Sequence, residues 1–394
     1  MSSSEGANTG TITPGYAYDA DSNRDASDWT KQLKEKRIYY SYTDNNFDNK
    51  KTSDPWFKYG NEFRLSYLAG RFKCDTCTGN AFGGSGVPLS KDIYGYTFTD
   101  RASTRSWYGV ASSSDGTKLI ASVYNGYIYV SSDSGASWIE RTALGIKNWY
   151  NVASSPDGVR LAAVVNGGYI YTSSNSGGSW SERLNAGSKN WFDITLSSDG
   201  RYLIATVLGE YIYTSNDFGA NWIPRMNDST RSWYGVASSE DGQYAVAAVS
   251  NGKLYTSSDF GANWLAYNDN NTNRDWYAVA SSSDGSKLVA GVYGGYIYTS
   301  TDSGNIWTER TSAGSRNWIS ITSSSDGKNI AAMANGGYIY ISRDSGATWT
   351  EQTSAGSRNW YGITSSSDGG KLAAVVNGGQ IYTGAYGILG NIKY

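Results

Sequence analysis

The sequence predicts an all-β protein: a seven-bladed β-propeller of four-stranded antiparallel blades, preceded by an irregular N-terminal extension. Three observations predict it. A tryptophan recurs at 107, 149, 191, 233, 276, 318 and 360, at spacings of 42 residues with a single 43. A turn of pattern small/polar-x-Asp-x-Gly-x-x-Trp recurs between these tryptophans, as in Ser131-Ser132-Asp133-Ser134-Gly135-Ala136-Ser137-Trp138. Between the two markers, short β-rich runs alternate with turns rich in Gly, Asn and Asp.

The chain opens on a segment unlike the repeat. Residues 1–16 are rich in Ser, Gly and Thr and read as a flexible tail. Residues 17–90 form an arm with too few apolar residues for a core of its own. Asp28–Arg37 reads as a short helix, capped by Ser27 or Asp28, with Trp29, Leu33 and Ile38 on an incomplete apolar face. Glu62–Phe72 is a second amphipathic helix candidate, interrupted by Gly70. Gly79–Gly86 reads as a linker. Cys74 and Cys77 make one Cys-x-x-Cys, which is half of a zinc site. The chain has no histidine to complete it. A thiolate site shared by two copies, a local disulfide and a pair of unpartnered thiols all fit, and no metal is assigned.

From residue 91 to 394 the array follows. In the unit that starts at Trp318, Trp318–Ser323 is a first strand and Asn329–Ala334 a second. The second is apolar at nearly every position, as a strand covered on both faces should be. Asn335-Gly336-Gly337 is a hairpin signal, Tyr338–Ser342 a third strand and Thr348–Thr353 a fourth. The last unit stops after Gln380-Ile381-Tyr382-Thr383. Its missing fourth strand matches Tyr96–Arg101, so residues 96–101 are expected to complete the blade built by residues 360–383. Such closure removes the open edges of the array.

The repeated Asp turn resembles the Asp-box, or BNR, repeat of β-propellers of the sialidase, sortilin and photosystem-assembly-factor type. Its copies are centred on Asp133, Asn175, Asp217, Asp259, Asp302 and Asp344. The resemblance covers residues 96 to about 386 and implies fold far more than function. Near-identical units, such as residues 311–318 against 353–360, are also similar to repeat proteins encoded by large DNA viruses and environmental bacteria.

Chemistry is sought where the repeat carries it or breaks. The Asp turns recur once per unit, which suits a turn-building role better than catalysis. A base stands two residues before each marker tryptophan: Arg105, Lys147, Lys189, Arg231, Arg274, Arg316 and Arg358. The connections that carry them share a face with the Asn-Gly hairpins. Asp115, Asp157, Asp199, Asp241, Asp284, Asp326 and Asp368 fall on the opposite face. The ring of bases is a candidate docking surface for an anionic partner; the alternative is that each base stacks on a neighbouring Trp or pairs locally. The Tyr-x-Tyr third strands, such as Tyr127/Tyr129, could stack sugars or pack between blades. Two acids break the repeat, Asp193 and Glu210, both in one unit and expected on the same face. Such a pair is the minimum for glycoside hydrolysis, but the arginine cluster of sialidases has no counterpart. Serine-protease chemistry is excluded because the chain has no histidine.

The net charge of −2 gives no reason to expect nucleic acid as a partner. No apolar run reaches the ~18 residues of a membrane span, and no signal peptide is read at the N-terminus. No phosphate loop or nucleotide fingerprint appears, and no cofactor and no catalytic residue is assigned. The composition and the repeat together point to a non-catalytic scaffold. Its disc and arm would dock other proteins in a larger assembly, such as a virus particle. A glycan-binding propeller and a sialidase-like hydrolase are the alternatives.

Overall fold

The computed structural model describes residues 65–68, 71–74, 90–267 and 272–393. The chain divides into two units, residues 1–91 with 391–394, and residues 92–390. In the first, Leu65–Leu68 pairs antiparallel with Arg71–Cys74. This corrects the helix read over Glu62–Phe72. The segment has an apolar periodicity that serves either element. The Asp28–Arg37 helix and Cys77 lie outside the described residues.

The second unit repeats one antiparallel sheet. Around Trp149 its strands are Lys147–Ser154, Leu161–Gly168, Ile170–Ser173 and Ser181–Arg183, paired in that order. A bulge interrupts the first pairing between Trp149 and Val152. The same irregularity follows Trp107, Trp191, Trp233, Trp276, Trp318 and Trp360. Each bulge bends the first strand just after its tryptophan.

Sheets stack through the tryptophans. Trp149 is fully buried among Ile120, Ile128 and Val130 of the preceding sheet and Val152, Leu161 and Ala163 of its own. The second strand explains its apolar run. Leu161, Ala163 and Val165 pack with Trp149, while Ala162 and Val164 pack with Trp191 on the other side. Each large ring removed from such a core costs about 3–5 kcal/mol.

The Asp turn is built by side chains. Asp133 accepts from the backbone N–H of Ser137 at 2.8 Å, and Ser131 Oγ accepts from the N–H of Gly135 at 2.9 Å. Trp138 Nε1 donates to the Gly135 carbonyl at 3.1 Å. Two successive residues are left-handed, Ser134 at φ 58° and Gly135 at 82°. The sequence suggested only the glycine. Asn175 accepts the same bond from Ser179 at 2.8 Å with its amide oxygen, so the Asp-to-Asn change leaves the turn intact.

The first and last strands meet. Ser90–Ser112 lies beside Lys371–Lys393 in the sheet. Both run well past the 96–101 and 360–383 limits read from sequence. Tyr96 is buried with Trp360 and Tyr382, and its hydroxyl donates to the Gly369 carbonyl. Arg101 Nε donates to Thr383 Oγ1 at 3.1 Å, as Arg183 does to Thr172 at 2.7 Å inside a single sheet. Trp107 in turn packs on Ala373, Val375 and Ile381.

A circular chain of backbone bonds runs through the turns after the first strands. Ser198 N–H donates to Glu240, Glu240 to Ser283, Ser283 to Ser325, Ser325 to Ser367, and Ser367 to Ser114, at 2.6–2.9 Å. Ser114 donates to Pro156 at 2.7 Å. Pro156 has no N–H, so the step toward Ser198 is missing.

Replacing Tyr96 with Ala should lower unfolding stability by about 3 kcal/mol, measured by urea denaturation of the whole chain. An unchanged midpoint would show that the terminal strands do not hold the array closed.

Candidate binding site

The bases before the tryptophans have a specific place. Each lies over the third-strand tyrosine of its own repeat: Arg105 over Tyr129, Lys147 over Tyr171, Lys189 over Tyr213, Arg231 over Tyr255, Arg274 over Tyr298, Arg316 over Tyr340 and Arg358 over Tyr382. Their distances to the ring centroids are 4.5–5.5 Å. The same tyrosine meets the tryptophan edge-on or tilted, at 5.0 Å for Trp107 and Tyr129. Its hydroxyl donates to a fourth-strand glutamate, Glu140, Glu182, Glu309 or Glu351. Burial, with the carboxylate as hydrogen-bond partner, pushes the Tyr298 and Tyr340 phenols up to about 12. The geometry is that of cation–π stacking, while the Arg105 side chain keeps 40% of its surface in solvent.

Glu210 belongs to this stack. Pro224 stands opposite Tyr213, where the other sheets place glutamate. Glu210 approaches from the hairpin instead, accepting from Lys189 Nζ at 2.8 Å and from the Tyr213 hydroxyl at 3.3 Å. In the next repeat Ala266 stands opposite Tyr255, and Arg231 turns to Asp228 at 2.8 Å. The odd acid therefore replaces a missing one.

Asp193 sits elsewhere. An axial cavity of about 170 Å³ is lined by residues one, two or three past the tryptophans, at least two from each repeat. One past the tryptophan stand Tyr108, Tyr150, Phe192, Tyr234, Tyr277 and Tyr361, with Ile319 in the remaining repeat. The rings pack around the axis: Tyr108–Tyr361 at 4.1 Å, Tyr150–Phe192 at 4.8 Å, Phe192–Tyr234 at 4.6 Å and Tyr234–Tyr277 at 4.6 Å. Tyr150 and Tyr361 share a hydrogen bond of 2.9 Å between hydroxyls. Tyr124 stacks on Tyr108 at 4.9 Å, and the exposed Tyr293 approaches Tyr277 at 5.9 Å, adding hairpin aromatics to the same cluster.

Two past the tryptophan stand Gly109, Asn151, Asp193, Gly235, Ala278, Ser320 and Gly362. Neighbouring strands come so close here that a Cβ at Gly235 would meet the Tyr277 carbonyl at 2.8 Å, and one at Gly362 the Tyr108 carbonyl at 2.7 Å. Asp193 is half-buried, with its carboxylate open to the axial cavity. It accepts from Asn151 Nδ2 at 2.5 Å, from its neighbour Ile194 N–H at 2.8 Å and from Val236 N–H at 2.8 Å. Burial outweighs these bonds and lifts its carboxyl to about 6. Sequence reasoning flagged Asp193 and Glu210 as a pair. The structure separates them, the first on the axis and the second in a half-exposed ion pair with Lys189. The aromatic cluster itself was missed. Its signal was present, an aromatic after six of the marker tryptophans, but it reads as ordinary strand composition until the bulges turn those side chains inward. Among the described residues no group of three or more Cys, Asp or Glu is placed to hold a metal ion.

No family profile matches the chain, and no curated protein sequence matches it. Solved structures do. YCF48 from Cyanidioschyzon merolae superposes with a TM-score of 0.58 at 17% identity, over 73% of this chain and 98% of that one. A structure described as YCF48 bound to D1 peptide gives 0.59 at 18% identity, over 75% and 99%. The GH74 enzyme of Niastella koreensis gives 0.56 at 16% identity, over 73% of this chain and 53% of that one. The chain has a β-propeller repeat fold.

The raised pKa of Asp193 fixes a pH dependence. The folded state holds a proton that the unfolded chain releases near pH 4, so stability rises as pH falls from about 6 to about 4. The gain is on the order of 3 kcal/mol. The turn carboxylates act the other way only at lower pH, since hydrogen bonds hold Asp133 down to about 2. Melting of the wild type relative to Asp193→Asn should therefore improve between pH 7 and pH 5. Parallel melting curves would show that Asp193 is not the titrating acid. Glu210→Gln should cost under about 1 kcal/mol, because its pair with Lys189 is partly exposed.

Proposed function

We propose that this chain is a seven-bladed, non-catalytic interaction propeller that takes a peptide segment of another protein across the aromatic end of its axis. The observation that carries this reading is the tyrosine cluster around the axial cavity, extended by the hairpin aromatics Tyr124 and Tyr293. Rigid aromatics give large contact area at small entropic cost, which suits recognition of an extended segment. The neighbour solved with a peptide bound supports the same class of partner. The two acids that break the repeat lie apart, one holding backbone N–H groups and the other a lysine, which leaves them without the paired arrangement that glycoside hydrolysis requires. The Asp turns serve here as Asp-box structural devices. The exposed sides of the basic ring, Arg105 among them, are proposed to meet carboxylates of the partner. The residues before 91 are proposed as a separate arm for assembly, with incorporation into a virus particle as one setting. A lectin-like role keeps its support from the same tyrosines, which could stack sugars.

The full-length chain should be applied to peptide and glycan arrays. Retention on peptides is expected, reduced more than tenfold by Tyr124→Ala with Tyr293→Ala and less by Arg316→Gln with Arg358→Gln. Retention on glycans alone would favour the lectin, and turnover of aryl glycosides would overturn the non-catalytic reading.

A further inference from the structure

The axial cavity contains one ionised group at neutral pH among its lining residues, the Asp193 carboxylate, and no lysine or arginine. Backbone capping does not require that charge. Asn151, at the equivalent position, accepts from Val152 N–H at 2.9 Å with a neutral amide. Ser320 accepts from Ile363 N–H at 3.1 Å with a hydroxyl. Gly109, Gly235, Ala278 and Gly362 occupy the position with no polar side chain at all. A carboxylate withdrawn from bulk water is destabilised unless a cation compensates it, yet the three donors at Asp193 are an amide and two backbone N–H groups. They leave an acceptor position on the carboxylate unused, since two oxygens offer about four lone pairs.

The other walls are aromatic. Tyr108, Tyr150, Phe192, Tyr277 and Tyr361 line the same cavity. Ring faces and phenol oxygens attract cations and reject anions, most strongly where water is excluded.

We propose that the axial cavity binds an alkylammonium group, with Asp193 as its counter-ion and the surrounding tyrosines and Phe192 as its cage. The size fits: a dry cavity of about 150 Å³ admits a benzene-sized molecule, and this one measures about 170 Å³. A straight four-carbon ammonium is the natural occupant. The same chemistry is carried by a lysine side chain of a partner peptide and by a free aliphatic amine. The peptide source rests on the interaction reading above; the ammonium site does not.

The groups facing Asp193 keep its titration simple. Asn151 is neutral, Tyr361 ionises only near 12, and burial raises Tyr150 and Tyr277 as well. An ammonium in the cavity must pull the Asp193 pKa down and lose affinity as the pH falls below about 6.

The test uses the full-length, 13C-labelled chain titrated at pH 7.5 with n-butylammonium chloride, and separately with n-butanol as the neutral isostere. Saturable binding of the amine, at least tenfold tighter than the alcohol, is expected, with a fall of about one unit in the Asp193 side-chain titration read by NMR. Asp193→Asn should abolish the preference. Phe192→Leu, which leaves the carboxylate in place, should weaken the amine several-fold and the alcohol little. Equal affinity for amine and alcohol, an unmoved Asp193 titration, or no binding at all would overturn the proposal. Acetyl-Gly-Lys-Gly-amide against its norleucine analogue separates the sources. Displacement of butylammonium by the lysine peptide alone assigns a peptide carrier. Binding of butylammonium with no effect of the peptide assigns a free amine and leaves the peptide docking reading to stand or fall on the arrays.

Discussion

Everything in the array hangs on how one buried tryptophan per repeat is held. Trp107, Trp149, Trp191, Trp233, Trp276, Trp318 and Trp360 are 0–1% exposed, each between two sheets. A tyrosine meets the indole, a base covers the tyrosine, and a glutamate takes its hydroxyl. The indole and the base come from the first strand or the two residues before it, the tyrosine from the third and the glutamate from the fourth. Fixing one therefore fixes the register of the whole sheet. Where the glutamate is absent the stack still finds an acid: Glu210 for Tyr213, and Asp228 for Arg231. At the seam Tyr382 reaches Gln380, and Gln380 reaches Asp100. Three of the seven stacks thus take a polar partner from outside the fourth strand.

Closure obeys the same economy. The terminal strands reproduce a contact made inside internal sheets, Arg101 bonding Thr383 as Arg183, Arg225 and Arg310 bond Thr172, Thr214 and Thr299, although the seam joins residues more than 270 apart. The irregular place is internal. Pro156 interrupts the circular chain of backbone bonds between the repeats of Trp149 and Trp191, and those same repeats are joined near the axis by Asn151 and Asp193 at 2.5 Å. A side-chain link stands where a backbone link is lost.

The repeat was legible because its markers are local: a turn that needs Asp and Gly, and a tryptophan that needs burial. The apolar second strands announced their two covered faces for the same reason. The extension was not legible in this way. Glu62–Phe72 has no marker, and its apolar spacing fits a helix or a hairpin, so pairing with Arg71–Cys74 decides. The ring of bases was legible as a ring, but whether a cation faces solvent or a tyrosine depends on the third strand, more than twenty residues away. The two odd acids were legible as exceptions. Their separation was not, because adjacency within a repeat says nothing about which end of a strand turns to the axis.

The axis is where a repeat protein has least freedom and most opportunity. First strands converge there, so the residue two past each tryptophan must be small or must bond its neighbours. Four repeats answer with Gly or Ala. Asn151 and Ser320 answer with neutral caps. Asp193 alone brings a charge into that crowding, at the cost of a carboxyl lifted to about 6. A fold selected only for stability has the neutral solution in hand one repeat away, at Asn151. Asp193 carries a charge that the neutral caps at Asn151 and Ser320 do without, and it faces a cage of rings, so the charge is explained by what the cavity receives.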